Sequence, residues 1–264
     1  MSIIQSVVLG ALQGLAEFLP ISSSGHLVVI KHLFGLEEVP QLFDIILHLG
    51  TLAAVLLVFW KPILAILGAM VRWFTKKNTE ADKEYLSLVV PAIIATVFTA
   101  GIGLAVHKLN IEPSPKSVAV LWIVTGCLLI GVSFIKGSKT YASMSWREGV
   151  LIGIAQGLGT LPGISRSGIT IAGGLVGGLK REYAGEFAFL LAIPAIVGAF
   201  VLEIKDVEAM SAVISLTVLI TGFVISFIVG FIALKLLIPI VKKGQLYWFA
   251  CYLIPAGIAG LIFL

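Results

Sequence analysis

Two short polar stretches interrupt otherwise apolar sequence, and each carries a charge. The first holds Gln13, Glu17, Pro20, Ser22, Ser23, Ser24, Gly25 and His26; the second holds Pro162, Gly163, Ser165, Arg166, Ser167 and Gly168. A carboxylate or guanidinium inside an apolar block costs at least ~2.5–3.5 kcal/mol on insertion scales, so each calls for a partner or a wet cavity. Gln13 and Glu17 are four apart, hence on one helix face, and can together ligate a hard divalent cation such as Mg²⁺ or Ca²⁺. Ser22, Ser23 and Ser24 supply candidate hydroxyl nucleophiles, and His26 a candidate base, acid or nucleophile. A glycine-rich turn entering a helix offers free N–H groups to an anion, which suits phosphate at Ser165, Ser167 and Gly168; Arg166 adds a planar fork for phosphate oxygens. Ser22, Ser24 and Gly25 stand in the equivalent serine-rich turn of the first stretch. Charge neutralisation and positioning are what phosphoryl transfer needs. The plainer alternative is a Glu17–Arg166 pair that only holds two helices together. The surrounding polar groups favour chemistry. The four histidines, His26, His32, His48 and His107, have no transition-metal spacing, and His32 and His107 read as interfacial.

The elements that must position these residues are apolar helices. Of 264 residues, 59% are hydrophobic and 12% charged, and the mean hydropathy is +1.09. A soluble domain carries about 25% charged residues. Six blocks are long enough to cross a bilayer, at about 42–60, 86–106, 117–135, 184–203, 211–238 and 246–264. None alternates with period two, which excludes a barrel. Blocks 2–36 and 146–180 are each broken by one of the polar stretches into halves too short to span, and read as re-entrant hairpins. Cys127 and Cys251 read as small buried packing residues. No cleavable leader is expected, because the first apolar stretch runs into Glu17 and Pro20. The net charge of +4 lies in short loops and does not suggest nucleic acid.

The two broken blocks are copies. Gly10–Gly25 aligned with Gly153–Gly168 gives eight identities in sixteen positions, where biased composition alone gives about two. Each copy is followed by three expected spans, so the second enters from the opposite face. The expectation is an all-α integral membrane protein: six transmembrane helices plus two re-entrant helix hairpins in an inverted-topology repeat. It is one membrane domain, 1–264, with halves at about 1–136 and 146–264, whose broken helices meet near the midplane. Twelve basic residues, among them Lys61, Arg72, Lys139, Arg147, Lys180 and Lys242, fall on one side, against Lys31, Lys108, Lys116 and Lys205 on the other. The first side is therefore expected in the cytoplasm, with both termini outside.

The segments Gln13–His26 (QGLAEFLPISSSGH) and Leu161–Gly168 (LPGISRSG) resemble the two signature motifs of the undecaprenyl-diphosphate phosphatases, the bacitracin-resistance family. The resemblance extends over essentially the whole chain, including the Glu186–Pro194 stretch EFAFLLAIP. It implies a plasma-membrane enzyme that removes the terminal phosphate of a C55-type polyprenyl diphosphate, recycling the carrier of cell-wall precursors and conferring bacitracin resistance. It implies a divalent cation and a site open toward the outer face. Carried to this sequence, Glu17 helps bind metal, Ser23 or His26 is nucleophile or general base, and Arg166 holds the phosphates. Ser22, Ser24, Ser165 and Ser167 line the pocket. Many members have Glu where this chain has Gln13, which keeps an oxygen but loses a charge.

Inverted repeats with broken helices also suit a polyprenyl-phosphate transporter or flippase. Such a protein needs the anion cradle but not Glu17 and His26 beside Ser23. The expected partners are the lipid substrate and membrane lipids, and a homodimer is left open. Trp60, Trp73, Trp146, Tyr141 and Tyr247 read as interfacial rings at span ends, and Asp44 and Glu186 as carboxylates opening spans.

Overall fold

The computed structural model describes residues 1–36, 41–109, 113–203 and 214–264. These contain eleven α-helices, one 3₁₀ turn at Tyr141–Ser143 and no strand. The helices are α1 Ile3–Phe18, α2 Ser23–Phe34, α3 Gln41–Val58, α4 Trp60–Phe74, α5 Asp82–Lys108, α6 Pro115–Ser133, α7 Trp146–Leu158, α8 Arg166–Val176, α9 Arg181–Glu203, α10 Leu216–Lys243 and α11 Tyr247–Phe263.

Both polar stretches break their blocks where expected. At 1.5 Å per residue, α1, α2, α7 and α8 are only ~16–24 Å long, short of the ~30 Å hydrocarbon core. α5, α6, α9 and α10 are long and apolar enough to cross a membrane. The block expected to span at 42–60 instead ends at Val58 and bends by 74° into α4, so α3 and α4 make at most a fifth crossing. Pro62, in the first turn of α4, brings no N–H to the ladder at the bend. α11 has 17 residues. Length and composition thus give four or five crossing helices among the described residues, and do not by themselves reach six. Residues 211–213 of one expected span, and Lys205, lie outside the described residues.

Local chemistry fixes the ends. Ser2 with Gln5, Ser114 with Ser117 and Ser145 with Glu148 form reciprocal capping boxes. Gly35 and Gly244 close α2 and α10 in the left-handed conformation. The basic ends of several helices gather in one place: Arg181 donates to the carbonyls of Ser133 (2.6 Å) and Lys243 (3.2 Å), and Lys139 pairs with Glu148.

α1 packs on α10, and its repeat counterpart α7 packs on α5, so each half's broken helix rests on a long helix of the other half. Backbones meet there. A Cβ at Gly14 would lie 2.7 Å from the Ser226 carbonyl oxygen, and one at Gly153 2.7 Å from Ala95. Two expectations fail at this level. Cys127 and Cys251 are exposed on the outer surface of the helices, because small size alone does not select a buried face. Tyr141 is buried at 3% exposure against the rings of Tyr183 and Phe187 instead of lying at an interface.

Candidate active site

The serine of each repeated Ser-x-Ser-Gly stretch caps the helix that follows. The Ser22 hydroxyl accepts from the Gly25 N–H at 3.2 Å, and the Ser165 hydroxyl accepts from the Gly168 N–H at 3.1 Å. The first turns of α2 and α8 thereby reach one shared cavity of about 230 Å³, lined by residues including Glu17, Ser22, Ser23, Ser24, His48, Thr160, Ser165 and Arg166.

Glu17 stands at the centre. Its Oε1 accepts from Arg166 Nη2 at 2.7 Å; its Oε2 accepts from the Ser23 hydroxyl at 2.7 Å and from Gln13 Nε2 at 3.0 Å. Only 8% of Glu17 is exposed, so its charge is compensated by these donors and not by bulk water. Arg166 is partly open to the cavity, and its carbonyl accepts from the Thr170 hydroxyl at 2.6 Å. One carboxylate thus ties a hydroxyl from the first copy to a guanidinium from the second. A carboxylate that accepts from a serine hydroxyl can take its proton, while the guanidinium has further N–H donors for an anion.

The structure separates the other expected residues. Ser22, Ser24 and Ser165 line the cavity with Ser23. Gly25, Ser167 and Gly168 do not: Gly25 lies under Trp122, Gly168 against Pro20, and the Ser167 hydroxyl is 3.2 Å from that of Ser165. His26 also faces away. Its Nδ1 bonds the Ser22 carbonyl at 2.8 Å, its Nε2 bonds the Tyr252 hydroxyl at 2.7 Å, and its ring packs on Trp122.

One lining residue lies outside the expected set. His48 on α3 brings Nε2 to 3.4 Å from Glu17 Oε2, while its Nδ1 donates to the Asp44 carbonyl at 2.7 Å. Asp44 in turn pairs with Lys31 of α2 at 2.7 Å. The available signal was a lone imidazole inside an apolar block, which needs a partner as Glu17 does.

Among the described residues no group of three His, Cys, Asp or Glu side chains is placed to hold a metal alone. Gln13 Oε1, however, is buried without a hydrogen-bond partner one turn from Glu17. Both side chains carry oxygens of the kind that a hard cation takes.

The chain is similar to known proteins over nearly its whole length. The chain is 46% identical over 258 residues to the undecaprenyl-diphosphatase of Treponema denticola, covering 98% of this chain and 96% of that protein. It is 40% identical to that of Carboxydothermus hydrogenoformans (99% and 97% covered) and 41% identical to that of Desulfatibacillum aliphaticivorans (97% of each). Residues 6–259 match the family model of the bacitracin resistance protein BacA, and the chain belongs to that family.

Proposed function

We propose that this chain is a membrane phosphatase that hydrolyses undecaprenyl diphosphate to the monophosphate and inorganic phosphate, recycling the lipid carrier of cell-wall synthesis. The observation that carries the reading is the Glu17 carboxylate, held at once by the Ser23 hydroxyl and the Arg166 guanidinium inside a polar cavity.

In this reading the terminal phosphate enters between the first turns of α2 and α8, with Arg166 and the serines of both turns donating to its oxygens. Glu17 accepts the Ser23 proton as the hydroxyl oxygen forms a bond to the terminal phosphorus. The bridging P–O bond breaks and the prenyl monophosphate leaves. Water then attacks phosphorus, the Ser23–phosphorus bond breaks, and Glu17 returns the proton to the serine oxygen. Ser23 is preferred to His26 as nucleophile because Ser23 lines the cavity and His26 points out of it. A divalent cation held by Gln13 and Glu17 supplies neutralisation of phosphate charge when bound.

The same reading places the protein in the plasma membrane as one domain of two inverted halves, with the cavity reached from the outer face and both termini outside. The gathering of the ends of α6, α9 and α10 around Arg181, beside Lys139, supports one basic, cytoplasmic end. Transport of polyprenyl phosphate is the second reading, and the exchange of α1 and α7 between halves supports it. The Ser23–Glu17 bond favours hydrolysis.

Phosphate release from undecaprenyl diphosphate by the purified full chain in detergent tests the proposal, with Mg²⁺, Ca²⁺ or EDTA. Turnover that depends on the cation and is lost in Glu17→Ala and Arg166→Ala supports it. A folded chain that releases no phosphate with any cation overturns it in favour of transport.

A further inference from the structure

Ser22 and Ser165 occupy equivalent places in the repeat, each first in Ser-x-Ser-Gly, yet their backbones differ. Ser165 is extended, at φ −74° and ψ 110°, whereas Ser22 lies at φ 69° and ψ 88°, in the left-handed region that serine rarely adopts. The Ser-x-Ser-Gly residues themselves differ only at x, so the neighbours of the turn set the difference. That conformation leads directly into Ser23, whose hydroxyl reaches Glu17.

The holding group is His26. The Ser22 carbonyl accepts from the His26 N–H at 3.2 Å and again from the ring Nδ1 at 2.8 Å. A carbonyl only accepts, so Nδ1 carries the hydrogen. The neutral ring therefore presents a lone pair at Nε2, 2.7 Å from the Tyr252 hydroxyl, which donates to it. Trp122 and Tyr252 also pack on the ring, at centroid distances of 4.4 and 5.7 Å. In the second copy Ile169 stands where His26 stands in the first, so this clamp serves only the copy that carries Ser23.

We propose that Tyr252, on the last helix and 226 residues from His26, is a positioning residue for the phosphatase reaction. By bonding His26 Nε2 it holds the ring in the orientation whose Nδ1–H grips the Ser22 carbonyl, and so holds Ser23 on Glu17. Without the hydroxyl the ring is tied at Nδ1 alone and is free to turn about its side-chain bonds. The left-handed turn loses its hold, and Ser23 spends less time in line for attack.

This inference rests on the hydrolase reading, and the experiment separates the two. The kcat and KM for phosphate release from farnesyl diphosphate are measured for the full chain, Tyr252→Phe, His26→Ala and the double variant. The His26 tautomer is read by ¹⁵N NMR of histidine-labelled protein. The expected result is a roughly tenfold fall in kcat for Tyr252→Phe, with KM within about twofold. No further loss is expected when Tyr252→Phe is added to His26→Ala. His26 is expected with hydrogen on Nδ1 in the wild type, and its Nε2 is expected to lose the chemical shift of a hydrogen-bonded acceptor in Tyr252→Phe. A wild-type kcat in Tyr252→Phe, a loss that multiplies in the double variant, or a change in KM alone overturns the proposal. So does a wild-type ring protonated at Nε2 alone, a readout that requires no variant to fold. A wild-type chain that shows the expected tautomer but no hydrolysis sinks the hydrolase reading and not the clamp.

Discussion

Arg166 Nη2 lies 2.7 Å from Glu17 Oε1 across 149 residues of chain. The bond joins the polar turn of one repeat copy to that of the other, at the cavity where phosphate is proposed to bind. The planar fork lets one nitrogen stay on Glu17 while others face an incoming phosphate. Arg166→Lys keeps the charge and loses the fork. Its kcat for phosphate release is expected to fall about 10²–10³-fold, as for loss of a preorganised transition-state donor. Steady-state assays on the monodisperse protein check it.

Ser23→Ala removes the hydroxyl bonded to Glu17 without disturbing the Ser22 cap. Turnover is expected to drop by at least about a thousandfold, with the thermal midpoint within a few degrees of wild type. Ser22→Ala removes an N-cap and one phosphate donor: about 1 kcal/mol of stability is lost, and turnover falls far less than in Ser23→Ala. Parallel assays and melts distinguish the two serines.

Gln13 Nε2 donates to Glu17 at 3.0 Å, while Gln13 Oε1 has no partner. Gln13→Glu replaces that donor by a second carboxylate at the same place. Two adjacent carboxylates repel unless a cation or proton lies between them. The variant is expected to bind Mg²⁺ or Ca²⁺ roughly tenfold more tightly, because a second charged ligand is added. In EDTA it is expected to melt at a lower temperature than wild type. Cation titrations of activity and of the melting point test both.

His48 contributes one nitrogen beside Glu17 and holds it there through the Asp44 carbonyl. An amide can occupy the same place and donate to the carboxylate. His48→Gln is therefore expected to keep activity within about fivefold of wild type, whereas His48→Ala, which leaves Glu17 short of a neighbour, loses about tenfold or more. Equal losses in the two would give the imidazole a proton-transfer role that glutamine cannot fill.

Gly14→Val places side-chain atoms where Ser226, Val229 and Gly230 of α10 already lie, with the first carbon 2.7–2.9 Å from each. Overpacking of this kind costs about 1–3 kcal/mol. The thermal midpoint in detergent is expected to fall accordingly, and the molecules that remain folded to keep most of their turnover.

The repeat made much of the site legible. Identical Ser-x-Ser-Gly stretches with unlike charges pointed to one shared cavity, and Glu17, Ser23 and Arg166 meet there. His48 escaped notice because it occurs once, on a separate helix, with no spacing to tie it to Glu17. His26 was legible as important but not as directed outward. Its neighbours Trp122 and Tyr252 come from α6 and α11, and no local pattern announces them. The bend at Phe59 was hidden by apolar composition that continues through it, although Pro62 marked the place. Composition likewise could not tell which face of α6 or α11 carries Cys127 or Cys251.

The exchange of α1 and α7 between halves has a consequence for biogenesis. α1 leaves the ribosome with a glycine seam made for α10, a helix that begins at Leu216, so its docking site is synthesised long after it. Glu17 likewise waits for Arg166. The nascent first half must therefore stay in the bilayer or with the insertion machinery holding a carboxylate that lacks its guanidinium partner. A ribosome stalled before α10 releases a fragment with neither the seam covered nor the cavity closed. The cell therefore acquires lipid-processing capacity only from chains translated through α10.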